Sequence, residues 1–109
     1  MTRNKVMSYL GFAARSRNIV SGYNTCEMMI SKGKVKLLII AEDMAENTKK
    51  KMIQKCSSNL VEYRIFATSD ELSQITGTGG KGLFGITDSH FAKIIVKEID
   101  LNQSEREVY

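Results

Sequence analysis

The chain has no proline, only two cysteines and a single histidine in 109 residues. With no proline and no low-complexity run, nothing marks a linker, and the length fits one compact domain. Cys26 and Cys56 stand alone, with no CxxC spacing, and His90 is the sole imidazole. That composition speaks against a disulfide framework and a structural zinc site, and it fits a reducing cytoplasm. No apolar run is long enough to cross a membrane. Ser8, Gly11 and Arg15 interrupt the apolar residues after the basic start, so a secretory signal is not expected.

What the sequence does contain is 42% hydrophobic residues, enough for a core, and an uneven charge. Residues 1–55 hold 11 Lys/Arg against 4 Asp/Glu, and residues 56–109 hold 5 against 8. The overall charge is +4. A basic half facing an acidic half points to a polyanionic partner, nucleic acid first, although a modest positive charge also serves solubility.

Apolar spacing divides the chain into alternating elements. Val6, Leu10, Ala13 and Ala14 form one helical stripe from Asn4 to about Arg15, ended by the basic turn Arg15-Ser16-Arg17-Asn18. Ile19-Val20 is a short strand. A second helix runs from about Gly22 to Lys32, with Ser21, Asn24 and Thr25 as candidate N-caps and Gly33 as its stop. Leu37–Ile40 is apolar at every position, as a strand covered on both faces must be. A third helix spans about Ala45–Ser58, with Met52, Ile53 and Cys56 inward. Val61–Phe66 is a strand with Val61, Tyr63 and Ile65 on one face. Ser69 is expected to cap a short helix carrying Leu72 and Ile75. Leu83–Thr87 is the last strand. A final helix, capped by Thr87 or Asp88, runs to about Ile99, and residues 100–109 read as a polar, flexible tail. This alternation predicts a three-layer α/β/α sandwich around a small, partly parallel sheet.

The enzymatic patterns fail on context. Gly77-x-Gly79-x-x-Gly82 has the dinucleotide spacing, but a helix precedes it and a strand follows, the reverse of what that fingerprint requires. A phosphate-loop reading needs Gly at Ile75 and Ser or Thr at Gly82. Asp88-Ser89-His90 are adjacent residues and cannot converge as a relay. Glu42-Asp43 lack a partner cluster for a metal, and no cofactor is expected. Lys49-Lys50-Lys51 reads mainly as a solvated face, and Tyr23 as either a packing contact or a stacking platform for a base. A binding module remains. Its focus is Val20-Ser21-Gly22-Tyr23-Asn24-Thr25, where a strand breaks into a helix start whose free N–H groups suit phosphate or base edges. Lys32, Lys34 and Lys36 are expected to form a positive rim beside it.

Four strings together carry a resemblance: Leu10–Arg15 (Leu-Gly-Phe-Ala-Ala-Arg), Val20–Thr25, Lys32–Asp43, and Asn47–Lys51. They resemble the kink-turn RNA-binding ribosomal protein superfamily of L-seven-Ae, L-thirty-e, S-twelve-e and Gadd-forty-five, and within it the small bacterial YlxQ-type branch. The likeness covers about residues 4–99. It implies an L-thirty-e-like α/β/α sandwich with a four-stranded mixed sheet and no enzymatic activity. It also implies structured RNA as partner, ribosomal or kink-turn-like, with the ribosome as a setting and neither membrane nor small-molecule substrate. In that family the second helix opens with Gly-x-Asn-Glu-x-x-Lys. Gly22 and Asn24 match it, while Thr25 stands at the Glu and Met28 at the Lys. The resemblance therefore implies an RNA face of Gly22, Asn24, Thr25, Met28 and Lys32, closed by Gly79 and Lys81 of the glycine loop. Arg15, Arg17, Lys34 and Lys36 are its expected electrostatic support.

Overall fold

A computed structural model describes residues 2–78 and 82–107, with side chains described over 4–78 and 82–102. Nine elements alternate along them: α1 (Thr2–Arg15), β1 (Ile19–Ser21), α2 (Tyr23–Ser31), β2 (Leu37–Ile40), α3 (Glu46–Ser58), β3 (Glu62–Ile65), α4 (Ser69–Thr76), β4 (Leu83–Ile86) and α5 (Ser89–Glu107). The four strands form one sheet in the order β1-β4-β2-β3. β4 runs antiparallel to both β1 and β2, and β2 is parallel to β3. The expected three-layer sandwich with a mixed sheet is the observed architecture.

The alternating pleat of β2 sorts its side chains into two cores. Leu37 and Ile39 face one side, where α1, α4 and α5 bring Val6, Leu10, Leu72, Ala92, Ile95 and Ile99. Leu38 and Ile40 face the other, where α2 and α3 bring Cys26, Ile30, Met52 and Cys56. Every residue of β2 and β4 is buried, which accounts for their unbroken apolar character. Gly85 belongs to the second side: a Cβ there would sit 3.0 Å from a Val35 methyl and 3.1 Å from a Val20 methyl. A side chain at that point of the last strand would press the Val35 and Val20 methyls aside by a few tenths of an ångström.

Two boundaries differ from expectation, and a third is decided between its two candidates. Thr68, not Ser69, caps α4: its Oγ1 accepts from the Glu71 N–H, and the Glu71 carboxylate accepts from the Thr68 N–H, a reciprocal box. Ser69 is left free for another contact. Asp88, one of the two candidates for α5, accepts from the Phe91 N–H at 2.8 Å. That helix does not stop near Ile99. It continues to Glu107, and its extension is tied to the sheet by Arg64, whose Nε and Nη2 donate to the two Asp100 carboxylate oxygens at 2.8 and 3.0 Å. This bidentate pair holds Asp100 below the usual carboxylate range.

Candidate nucleic-acid interface

The strand-to-helix turn at Gly22 is set by backbone geometry. Gly22 is the N-cap of α2 with φ 95° and ψ 154°, a conformation that glycine adopts without penalty. No side chain caps the helix, so Ser21, Asn24 and Thr25 do not play the capping role expected of them. Ser21 is instead in β1, opposite Phe84. The Cys26 N–H donates to the Gly22 carbonyl, the first helical bond, which leaves the Tyr23, Asn24 and Thr25 N–H groups without a partner inside the helix. Asn24 and Thr25 are exposed beside them. Met28, one turn further on the Asn24 face, is 48% exposed. Tyr23 is half-buried against the second core, so the packing role accounts for it.

The start of β4 is fastened to this turn. The Gly22 N–H donates to the Leu83 carbonyl at 3.0 Å, placing the start of β4 directly beside the helix opening. On the other side of β4, the Ala41 N–H donates to the Gly82 carbonyl at 2.8 Å. Gly82 itself has φ 74°, and a Cβ there would run into Met44 Sδ and lie 2.9 Å from Ser69 Oγ. Asp43 completes the arrangement. One of its oxygens accepts from both the backbone N–H and the hydroxyl of Ser69, each at 2.9 Å. These two bonds hold its carboxyl below the usual range. The exits of β1 and β2, the opening of α4 and the hinge of the glycine loop therefore meet at one end of the sheet. Gly79 and Lys81 lie outside the described residues. Sequence reasoning missed Met44 and Ser69 as supports of Gly82, because their contact joins segments with no local signature.

The cations do not meet there. Lys32, Lys34 and Lys36 lie at the opposite end of the sheet, where the Lys36 N–H donates to the Ile86 carbonyl. Arg15 and Arg17 lie at that far end as well, flanking a turn whose Asn18 carbonyl accepts from the Thr87 N–H. The expected rim beside the helix opening is thus corrected. The reason is length: nine residues of α2 carry the chain about 13 Å back across the sheet before Lys32. Of the α3 lysines, Lys49 is largely covered and pairs with Glu46 at 3.2 Å, whereas Lys50 and Lys51 are exposed. His90 is exposed at the start of α5. The two thiols are buried in the second core, which pushes Cys26 up to about 12 and Cys56 up to about 11 and makes both poor nucleophiles.

Known proteins share this architecture. The chain is 31% identical over 91 residues to the "RNA-binding protein YlxQ" of Bacillus subtilis (strain 168), covering 84% of this chain and 91% of that one. It is 35% identical to the protein of the same name from Enterococcus faecium, covering 84% and 87%. A solved structure, "The structure of a protein with unknown function from Bacillus halodurans C", superposes with a TM-score of 0.85 at 29% identity, over 88% of this chain and 97% of that one. The "Giardia lamblia 15.5kD RNA binding protein" shares the fold with a TM-score of 0.76 at 16% identity. The model of the family described as "Ribosomal protein L7Ae/L30e/S12e/Gadd45 family" matches residues 4–96. It is not an enzyme family. On that match the chain belongs to the Ribosomal protein L7Ae/L30e/S12e/Gadd45 family.

Proposed function

We propose that this protein binds structured RNA without catalysing a reaction, using the α2 N-terminus and the loop before β4 as its reading surface. The observation that carries the proposal is the uncapped opening of α2. It is anchored to the start of β4 through Gly22 and flanked by exposed Asn24 and Thr25. Backbone N–H groups at a helix start suit phosphate oxygens or base acceptors, and the Asn24 amide can both donate to and accept from a base edge. Thr25 offers a hydroxyl of either polarity. Met28 offers a flexible apolar contact suited to a base face. Gly79 and Lys81 close the loop over the bound nucleotide, and ribosomal RNA is the expected source of the ligand. The relatives named RNA-binding proteins support the class of partner.

Filter binding with a structured RNA and an unstructured RNA of equal length tests this. Asn24→Ala should weaken binding to the structured RNA about tenfold and erase the preference, since a lost base contact of ~1.4 kcal/mol is a factor of ten. A second reading treats the domain as a protein-interaction module with a weakened RNA face. It is favoured by the neutral, exposed Thr25 and Met28 at the positions where the family carries Glu and Lys. Equal affinity for both RNAs, insensitive to Asn24, would support it.

A further inference from the structure

The far end of the sheet carries a concentration of positive charge that the reading surface lacks. Adjacent strands bring its turns together. The Thr87 N–H donates to Asn18 at 2.9 Å, and the Lys36 N–H donates to Ile86 at 2.7 Å, so the α1–β1 turn, the β4–α5 turn and the α2–β2 turn stand side by side. Strands about 4.8 Å apart place these three turns within about 10 Å. Arg15 and Arg17 come from the first turn and Lys32, Lys34 and Lys36 from the last. These first and last turns each stop a helix. Arg17 has φ 62° and Gly33 has φ 72°, while the Asn18 amide donates to Ser16 Oγ at 3.0 Å.

The charge continues around the corner onto α5. Lys36, Lys93 and Lys97 line one open groove whose apolar wall is Ala92 and Val96, with Glu62 at its rim. Lys93 and Lys97 are one turn apart and both exposed, so their stems can lie along the apolar wall with the ammonium groups in water. Two of the nearby acids already have partners. Glu62 accepts from Arg64 at 3.2 Å, and Asp88 caps α5. Among the described residues, none of Lys32, Lys34, Lys93 and Lys97 is ion-paired. The Lys36 ammonium donates to the Gly33 carbonyl, which holds it over the turn.

From this placement we infer that the far end, from Arg15 and Arg17 through Lys32, Lys34 and Lys36 to Lys93 and Lys97, is a second RNA surface that binds phosphate backbone. The inference rests on the RNA-binding reading but concerns a different face. Seven cations spread over two turns and one helix suit a chain of repeated negative charges better than a single anion. The exposed Phe12 ring, with the Arg15 guanidinium 4.8 Å from its centroid, adds an aromatic face beside them. The reading end selects the RNA, and the far end supplies the salt-dependent attraction.

The test measures the affinity of the full chain for one structured RNA between 50 and 200 mM salt. Three proteins are compared: wild type, the triple variant Lys36→Gln/Lys93→Gln/Lys97→Gln, and Asn24→Ala. Each lost phosphate contact should flatten the logarithmic salt dependence by about 0.7, so the wild type should lose roughly 20-fold more affinity over that range than the triple variant. Preference for structured RNA should stay, and a triple Lys→Arg variant should keep the wild-type slope. A triple variant with the wild-type slope overturns the inference. If Asn24→Ala still abolishes the preference in that case, the reading surface stands and only the far end falls. If the wild type binds no RNA, both fall together.

Discussion

The two ends of the sheet are built from different materials. At the α2 opening the chain presents backbone N–H groups, a glycine with φ 95°, Asn24, Thr25 and Met28, with Glu42 and Asp43 nearby. At the other end it presents Arg15, Arg17, Lys32, Lys34 and Lys36, followed by Lys93 and Lys97. The first end is interlocked by contacts between distant segments: Gly22 to Leu83, Ala41 to Gly82, and Asp43 to Ser69. The second is a set of exposed side chains on turns. A surface that reads bases needs fixed geometry, because a hydrogen bond fails when its partner moves by a fraction of an ångström. A surface that attracts phosphates needs only charge in the right region. The difference in construction is what the proposed division of labour calls for, and it predicts that each end can be broken without the other.

The largest effect is expected at the loop hinge. Gly82→Ala puts a methyl group against Met44 Sδ and a non-glycine residue at φ 74°. Together the clash and the left-handed backbone should destabilise the fold by about 2–3 kcal/mol, lowering Tm by roughly 10 °C in a thermal melt. Combining it with Met44→Ala should recover the part due to the clash and leave the part due to φ. If Gly82→Ala melts like the wild type, the hinge is not pinned as argued and the rigid end is less rigid than the comparison holds.

Next is a kinetic contrast. Lys32→Glu/Lys34→Glu should slow RNA association about tenfold at low salt, because steering depends on the field of exposed charge. Asn24→Ala should act on dissociation instead. Stopped-flow measurements separate the two. Faster dissociation in the lysine variant, beside the slower association, would mean that Lys32 and Lys34 hold the bound RNA in oriented contacts as well as steering it.

The layers were readable in the residues because burial leaves a plain pattern. Leu37–Ile40 could only be a strand covered on both faces, and the stripe of Val6, Leu10 and Ala13 could only be the inner face of a helix. Gly22 and Gly33 marked the two ends of α2. Charge was another matter. Lys32, Lys34 and Lys36 follow the Gly22–Thr25 stretch so closely in sequence that they read as its rim, yet the rise of α2 carries them to the other end of the sheet. Sequence distance gives no direction until the topology of β1, β4 and β2 is known. The Asp43–Ser69 and Gly82–Met44 contacts were hidden for a related reason: 26 residues separate the first pair, and neither has a local pattern. The reach of α5 to Glu107 was masked by its polar composition, since what ties it to the sheet is the Arg64–Asp100 pair and not a hydrophobic stripe.

That pair gives a smaller effect. Asp100→Asn should destabilise the fold by about 0.5–1 kcal/mol, the modest range for a partly exposed ion pair with good geometry. Asp100 has a folded pKa below its ordinary 3.8, so its contribution is present above that value and is lost as pH falls through the folded pKa. An acid melt comparing wild type with Asp100→Asn should show the two curves converging there. Because α5 also carries Lys93 and Lys97, the variant asks whether the groove depends on this anchor. An unchanged salt slope in Asp100→Asn would show that the far end tolerates loosening, as a surface of exposed charges should.

The smallest effect separates the ends by pH alone. Asp43 is exposed, and its two bonds from Ser69 hold its carboxyl below 3.8. Protonation removes a negative acceptor from both Ser69 donors, so the link between the β2 exit and the α4 opening weakens only when pH falls below that value. Hydrogen exchange at the Ser69 amide should then accelerate, and amide resonances of Met44 and Gly82 should shift with the same midpoint, while those of Lys34 and Lys36 stay put. Asp43→Asn should remove that midpoint and leave Ser69 exchanging faster at neutral pH. A titration that moved the far-end amides with the Asp43 midpoint would mean that the two ends communicate through β2. The separation between a rigid reading surface and a tolerant charged one would then have to be given up.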